Sequence, residues 1–401
     1  MENLPLEIGL EILSRLPIAS LIRLKSVSKS LRSVAENPRL RPLYLAHASR
    51  RDPSILLHSH GGQLHRLVLA DDATNAVLIR IGDDQDFTKL APAGSCNGFL
   101  LLCNSDAAAA ADNDTTSSSS SWSSAAAPPV CLWNPLTGHQ IQLPPAPTAA
   151  GFPEPLHAAV GLGPDPTTSA PKIVRILYYN RPTMFGFVWT SQVQVLTVGG
   201  AWREMGRSVW NLKPGPSEAT LQLANTAALH WLTLGLGQGS SSSAVKIVSF
   251  DLREEMFREI AFPATCFEGL GRDRYTISHL AELSGRLSAV VSGPPDHEAT
   301  TPLEVWAMKE YGVKESWARD FVIGNHHLPP SLMNPTSYEG GAVRVLCRIR
   351  SNTTSTRVVF LVQFARGGLA SYCPENQELK ELVVVPVLPR FFSAALHLES
   401  M

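Results

Sequence analysis

Apolar residues near the start of the chain recur with helical spacing. Ile8, Ile12 and Leu16 fall at four-residue steps, and Leu6, Leu10 and Leu13 fill the adjacent stripe, which predicts one amphipathic helix. Pro5 fits its first turn, where the missing N–H costs nothing, and Pro17 stops it. Leu21, Leu24, Val27, Leu31 and Val34 then recur at three- and four-residue steps and predict a second helix, with Ser20 as N-cap and Pro38 as stop. Two such helices cannot cover both stripes on each other, and a segment below about 40 residues rarely folds alone. Part of this apolar surface therefore needs another partner, each large side chain contributing roughly 1.5–3 kcal/mol when fully removed from water.

From about residue 52 the pattern changes to short runs of Val, Ile, Leu, Phe and Trp between Gly, Pro, Asn and Ser clusters, the signature of an all-β domain. Five runs share one layout, a strand, a polar turn and an answering strand: Val130 to Leu143, Val193 to Met205, Val248 to Ile260, Leu303 to Ile323 and Leu369 to Val384. Gln194, Phe250 and Trp306 are spaced 56 residues apart, close to the roughly 50-residue period of kelch-type blades. A second series lies ahead of the hairpins at Asn97 to Cys103, His157 to Leu162, Asn225 to Thr233, Ser284 to Val291 and Ala342 to Ile349; each reads as an inner blade strand. The expected fold is a small helical domain over residues 1–51 followed by a β-propeller over 52–401, since radial stacking buries both faces of every sheet. A two-sheet sandwich with insertions is the alternative. The Ala/Ser-rich stretch Asp106 to Pro129 lacks large apolar residues except Trp122 and is expected to be a disordered loop inside the first hairpin.

With 401 residues, 44% hydrophobic, 17% charged and a net charge of −1, the chain falls among ordinary globular proteins. The charge is uneven: residues 1–51 carry nine Lys/Arg against four Asp/Glu, which suits an acidic partner surface or, as the rival, nucleic acid. Six cysteines without a C-x-x-C pair read as reduced, buried thiols. No signal-peptide layout and no bilayer-length apolar run are present, so a soluble protein of the cytoplasm or nucleus is expected.

The motifs that mimic chemistry sit in the wrong context. Gly94-Ser95-Cys96-Asn97-Gly98 resembles a nucleophile elbow, but a strand follows where a helix is needed, so Cys96 is read as entering a tight turn. Gly235, Gly237 and Gly239 lead to a serine run and a strand, which suits a hairpin loop and not a phosphate cradle. His326-His327 has no third ligand at zinc spacing, and Glu254-Glu255 lies in a polar turn where solvated carboxylates are expected. No catalytic residue, metal or cofactor is expected.

The stretch Leu4 to Pro38 carries a leading Leu4-Pro5, the block from Glu11 to Pro17, the Leu21/Leu24 pair, Val27-Ser28-Lys29 and a closing Asn37-Pro38. It resembles the F-box, in the plant form that precedes an F-box-associated or kelch-like domain. Ser26, Leu31 and Leu40 stand where that family usually has Cys, Trp and Phe. Weaker phrases extend the resemblance: Gly94 to Leu102, Leu132 to Pro135, Ala228 to Leu232, Ser249 to Arg253 and Val305 to Trp317. The resemblance implies a non-catalytic target-recognition subunit of a Skp–cullin–F-box ubiquitin ligase. The Skp-type adaptor would be met by Leu4, Pro5, Ile8, Ile12, Leu13, Leu16, Pro17, Leu21, Leu24, Val27 and Leu31, cullin through that adaptor, and an unidentified target protein by the propeller. Two rivals come from other classes: a helix-turn-helix nucleic-acid binder with a propeller sensor, its phosphate contacts from Lys25, Lys29 and Arg32, and an enzyme with convergent groups at the ring centre.

Overall fold

Four α-helices precede twenty-five strands among the residues that the structure, a computed structural model, describes: 5–16, 18–48, 53–59, 62–70, 75–82, 87–104, 128–147, 155–183, 186–213, 220–223, 226–234, 245–263, 276–292, 302–324, 343–350, 358–364, 368–388 and 392–397. The helices are α1 (Leu6–Ser14), α2 (Ile18–Val27), α3 (Lys29–Ala35) and α4 (Leu40–Ala48). The single second helix expected across Leu21 to Val34 is broken at Ser28. Its backbone is extended and its Oγ accepts the Leu31 N–H at 3.1 Å, so this serine, and not Ser20 inside α2, is a cap; its hydroxyl replaces a helical carbonyl that the break removes. Leu10, Leu13, Leu21, Ala35, Leu40 and Tyr44 form the buried core of the four helices.

The strands form six sheets of four or five neighbours arranged as a ring, antiparallel throughout except where β24 joins β3 in parallel. The first blade contains β4 (Leu90–Cys96), β5 (Phe99–Asn104), β6 (Pro129–Trp133) and β7 (Gln140–Gln142). The second contains β8 (His157–Pro164), β9 (Pro171–Thr183), β10 (Gly186–Thr197) and β11 (Arg203–Gly206). The third contains β12 (Thr220–Gln222), β13 (Ala228–Leu232), β14 (Ile247–Asp251) and β15 (Met256–Ile260). In the fourth are β16 (Thr276–Leu283), β17 (Arg286–Ser292), β18 (Leu303–Met308) and β19 (Trp317–Ile323), and in the fifth β20 (Arg344–Arg350), β21 (Val358–Gln363), β22 (Leu369–Cys373) and β23 (Glu378–Glu381). The closing blade joins both ends of the chain. β1 (Ser54–Ser59), β2 (Leu64–Leu69) and β3 (Asn75–Ile81) are completed on the inside by β25 (Phe392–His397) and on the outside by β24 (Val383–Val385). The innermost strands β4, β8, β12, β16, β20 and β25 contact one another in that order, and β25 returns to β4.

This is the β-propeller that the repeat pattern predicts, and not a sandwich; its six blades are read from the structure. Gln194, Phe250 and Trp306 occupy the third strands of successive blades, and the five hairpins are third and fourth strands. Of the expected inner series, His157 to Leu162 and Ala342 to Ile349 correspond to innermost strands, whereas Asn97 to Cys103, Asn225 to Thr233 and Ser284 to Val291 correspond to second strands. Those second strands read as continuously apolar because both faces are covered: Phe99, Leu101 and Cys103 face the second blade, while Leu100 and Leu102 face the closing blade. The Ala/Ser-rich loop, Trp122, Cys266, the triple-glycine segment and His326-His327 lie outside the described residues, apart from the loop's last two positions.

Candidate adaptor-binding face

Because α1 uses Leu10 and Leu13 for the helical core, its opposite side is left uncovered. Pro5 is exposed ahead of the helix, and Ile8 and Ile12 stand 50% and 47% exposed one turn apart. Leu6 is exposed beside them, and Val27 projects from the end of α2 at 68% exposure. Leu16, Leu24 and Leu31 are half-buried. Leu13 and Leu21 do not contribute surface, being 2% and 0% exposed; four helices of this length have no other core, and these two side chains fill it. Leu4 and Pro17 lie outside the described residues. Leu6 shares a sequence stripe with Leu10 and Leu13 and is not among the contacts that the F-box resemblance implies, yet it stands 41% exposed on this face.

Polar groups tie the rim of this face together. Arg15 pairs with Glu11 at 2.7 Å, and His47 Nε2 on α4 lies 3.4 Å from the same carboxylate; the Arg15 hydrogen bond holds Glu11 below the usual carboxylate range. Arg32 Nε donates to the Lys25 carbonyl at 2.9 Å, which turns one of the phosphate-contact candidates back onto α2.

The propeller has a second uncovered surface. In the five blades built from consecutive strands the first-to-second and third-to-fourth turns lie on one side of the ring, since those strands form an antiparallel meander. The tip between β9 and β10 lies on the other side. Beyond Tyr178, which pairs with His157 at the start of β8, the β9–β10 ladder continues from Tyr179 and Thr190 to Thr183 and Gly186. This arm carries Trp189, 41% exposed, whose ring lies 6.1 Å from that of His157.

The residues that mimicked chemistry have structural roles. Cys96 is 3% exposed at the end of β4, and Asn97 and Gly98, at φ 49° and 83°, form the tight hairpin turn that follows. Cys103 and Cys131 are buried, which pushes the Cys103 thiol up to about 12 and leaves it a poor nucleophile. Glu254 is solvated as expected, but Glu255 is not: its carboxylate meets Lys172 at 3.1 Å and Arg203 at 2.7 Å, and these partners, Arg203 first, lower its pKa. Among the described residues no group of three or more His, Cys, Asp or Glu is placed to hold a metal.

Comparison with known families agrees with this division of labour. The profile described as F-box domain matches residues 1–43, and that described as F-box associated beta propeller domain matches residues 96–338. The chain belongs to the F-box proteins that carry an F-box-associated β-propeller. A relative from Arabidopsis thaliana, F-box protein At3g07870, is 30% identical over 431 residues, covering 99% of this chain and 91% of the relative. Putative F-box protein At1g33530 from the same plant is 23% identical over 403 residues, covering 94% of this chain and 76% of the relative. Among solved structures, the periplasmic gluconolactonase of Pseudomonas aeruginosa is 12% identical, with 82% of each chain covered and a TM-score of 0.38. This F-box protein is thus of the receptor type, a helical docking element joined to a binding propeller, and no helix among its described residues is long and apolar enough to cross a membrane.

Proposed function

We propose that this F-box protein is the target-recognition subunit of a Skp–cullin–F-box ubiquitin ligase. The helical element, ending near residue 51, docks to the Skp-type adaptor, and the propeller from about residue 52, of kelch type on its blade spacing, holds the target. The observation that supports this most directly is the stripe of Pro5, Ile8 and Ile12, apolar and uncovered on a helix whose other side is fully packed. Leu16, Leu24, Val27 and Leu31 extend it, and Leu4 and Pro17 flank it in sequence. In this reading the protein makes and breaks no bond itself; it accelerates transfer by holding two reactants close together. The target is assigned to the side of the ring that bears the β9–β10 arm, opposite the short hairpin turns. The five cysteines among the described residues are buried free thiols, which fits action in a reducing compartment, cytoplasm or nucleus.

The test is a pull-down of the full chain against the Skp-type adaptor, wild type beside an Ile8→Asp, Ile12→Asp double variant. Both side chains are half-exposed, so the fold is retained, while two carboxylates buried at the interface lower affinity by about 100-fold or more. A variant that binds like wild type removes this surface from the reading. A wild type that does not bind removes the adaptor itself and returns residues 1–51 to the nucleic-acid alternative.

A further inference from the structure

The hairpin turn between β6 and β7 joins the propeller to the helices. Trp133, at the end of β6, is 1% exposed and packs edge-on against Phe87, with ring centroids 5.5 Å apart. Asn134 follows, also 1% exposed, and its Oδ1 accepts the N–H groups of Leu136 and Thr137 at 2.9 and 3.1 Å. Gly138, at φ 69°, donates its N–H to the Asn134 carbonyl at 2.9 Å and closes the turn. The backbone of Leu136 is therefore fixed from the propeller side by a buried amide. Its side chain belongs to the other body: it packs against the helical core of Leu10, Leu13, Leu21 and Tyr44.

We propose that this turn is a rigid coupling and that Leu136 is the positioning residue that sets how the helical element sits against the ring. A half-buried leucine on a surface hairpin gives little to the blade that carries it; its burial is supplied by the helices. An Asx-type turn on a buried asparagine removes the freedom that would otherwise blur the geometry. The consequence for transfer rests on the proposed function: with the helices held at the turn side of the ring, the β9–β10 side is presented at a fixed distance and angle from whatever the adaptor carries.

Small-angle X-ray scattering of the full chain tests this with wild type, Leu136→Met and Leu136→Asp. Wild type and Leu136→Met should share one radius of gyration, because methionine refills the contact. Leu136→Asp should shift to a larger radius with a broadened distance distribution, while the thermal unfolding midpoint of the propeller and the pull-down with the Skp-type adaptor stay as in wild type. Wild-type scattering from Leu136→Asp overturns the coupling. Loss of adaptor binding by Leu136→Asp, where wild type binds, also overturns it, since Leu136 would then be a core residue of the helices alone. If neither protein binds adaptor but the scattering shifts, the coupling stands and the ligase reading falls.

Discussion

His279 Nε2 accepts the backbone N–H of Val345 at 3.0 Å, across the junction between the innermost strands of the fourth and fifth blades. An imidazole nitrogen in that role holds no proton, so the ring is neutral in the folded chain. Burial, with Arg344 and Lys213 facing it, lowers its pKa to about 3. His397 closes the ring in a similar way: its Nδ1 meets Ser95 Oγ at 2.8 Å, and burial with Arg66 nearby lowers it to about 3. His157, stacked on Tyr178, is lowered by burial to about 4.

The unfolded chain protonates these histidines near pH 6.5, before the folded chain does. Their neutral form therefore stabilises the propeller fully above pH 6.5, and that contribution is lost as the pH falls from 6.5 towards 4 and then 3. The urea midpoint is expected to drop between pH 7.5 and pH 5, each histidine adding at most about 1.4 kcal/mol per pH unit. In His279→Gln a side-chain carbonyl can still accept the Val345 N–H but cannot titrate, so the slope should decrease by one proton. A slope equal to that of wild type would show that His279 is already protonated in the fold.

Lys172 lies between the second and third blades, its side chain 6% exposed, with Nζ donating to the Leu252 carbonyl at 2.7 Å and meeting Asp165 at 3.3 Å and Glu255 at 3.1 Å. Removing the cation takes from Asp165 its ion-pair partner in a partly dry junction, while Glu255 keeps Arg203. Lys172→Met is expected to destabilise the protein by about 3 kcal/mol, read from urea unfolding at neutral pH. Lys172→Met with Asp165→Asn should recover part of the loss; equal losses would place the cost in packing and not in charge.

Gly82 has φ 73°, and a Cβ there would lie 2.7 Å from both Phe87 and Trp133. Gly82→Ala combines a left-handed backbone with overpacking of the closing junction, and about 2–3 kcal/mol of stability should be lost. The thermal midpoint is the readout, with Gly138→Ala as the comparison: φ is also positive there, but nothing lies within 4 Å of its Cβ, so the loss should be smaller.

The residues reveal the repeated part of the fold and conceal the unrepeated part. Five hairpins are legible because each blade reuses one arrangement of third and fourth strands. The closing blade is not, because its strands lie at opposite ends of the chain, and no local period reports that Ser54 pairs with His397. In the helices, periodicity places Ile8, Leu13 and Leu21 on apolar stripes alike, but only packing distinguishes an outward isoleucine from a leucine that forms the core. Ser28 stands in the Val27-Ser28-Lys29 motif, but its capping role is not legible there, since a capping serine and an exposed helical serine look the same until the backbone bends. The ion pairs of Glu255 are not legible in its polar turn because the partners, Lys172 and Arg203, are distant in sequence.

Ring closure by β25 makes the order of synthesis consequential. The four helices are complete once residue 48 has been synthesised, whereas β1 cannot find its inner neighbour until residues 392–397 emerge. A product of premature termination would thus carry a finished docking element on an unclosed ring. On the proposed function such a fragment would not be merely inert: it would occupy adaptor while delivering nothing, so a late nonsense allele should behave as a dominant competitor and an early one as a simple loss.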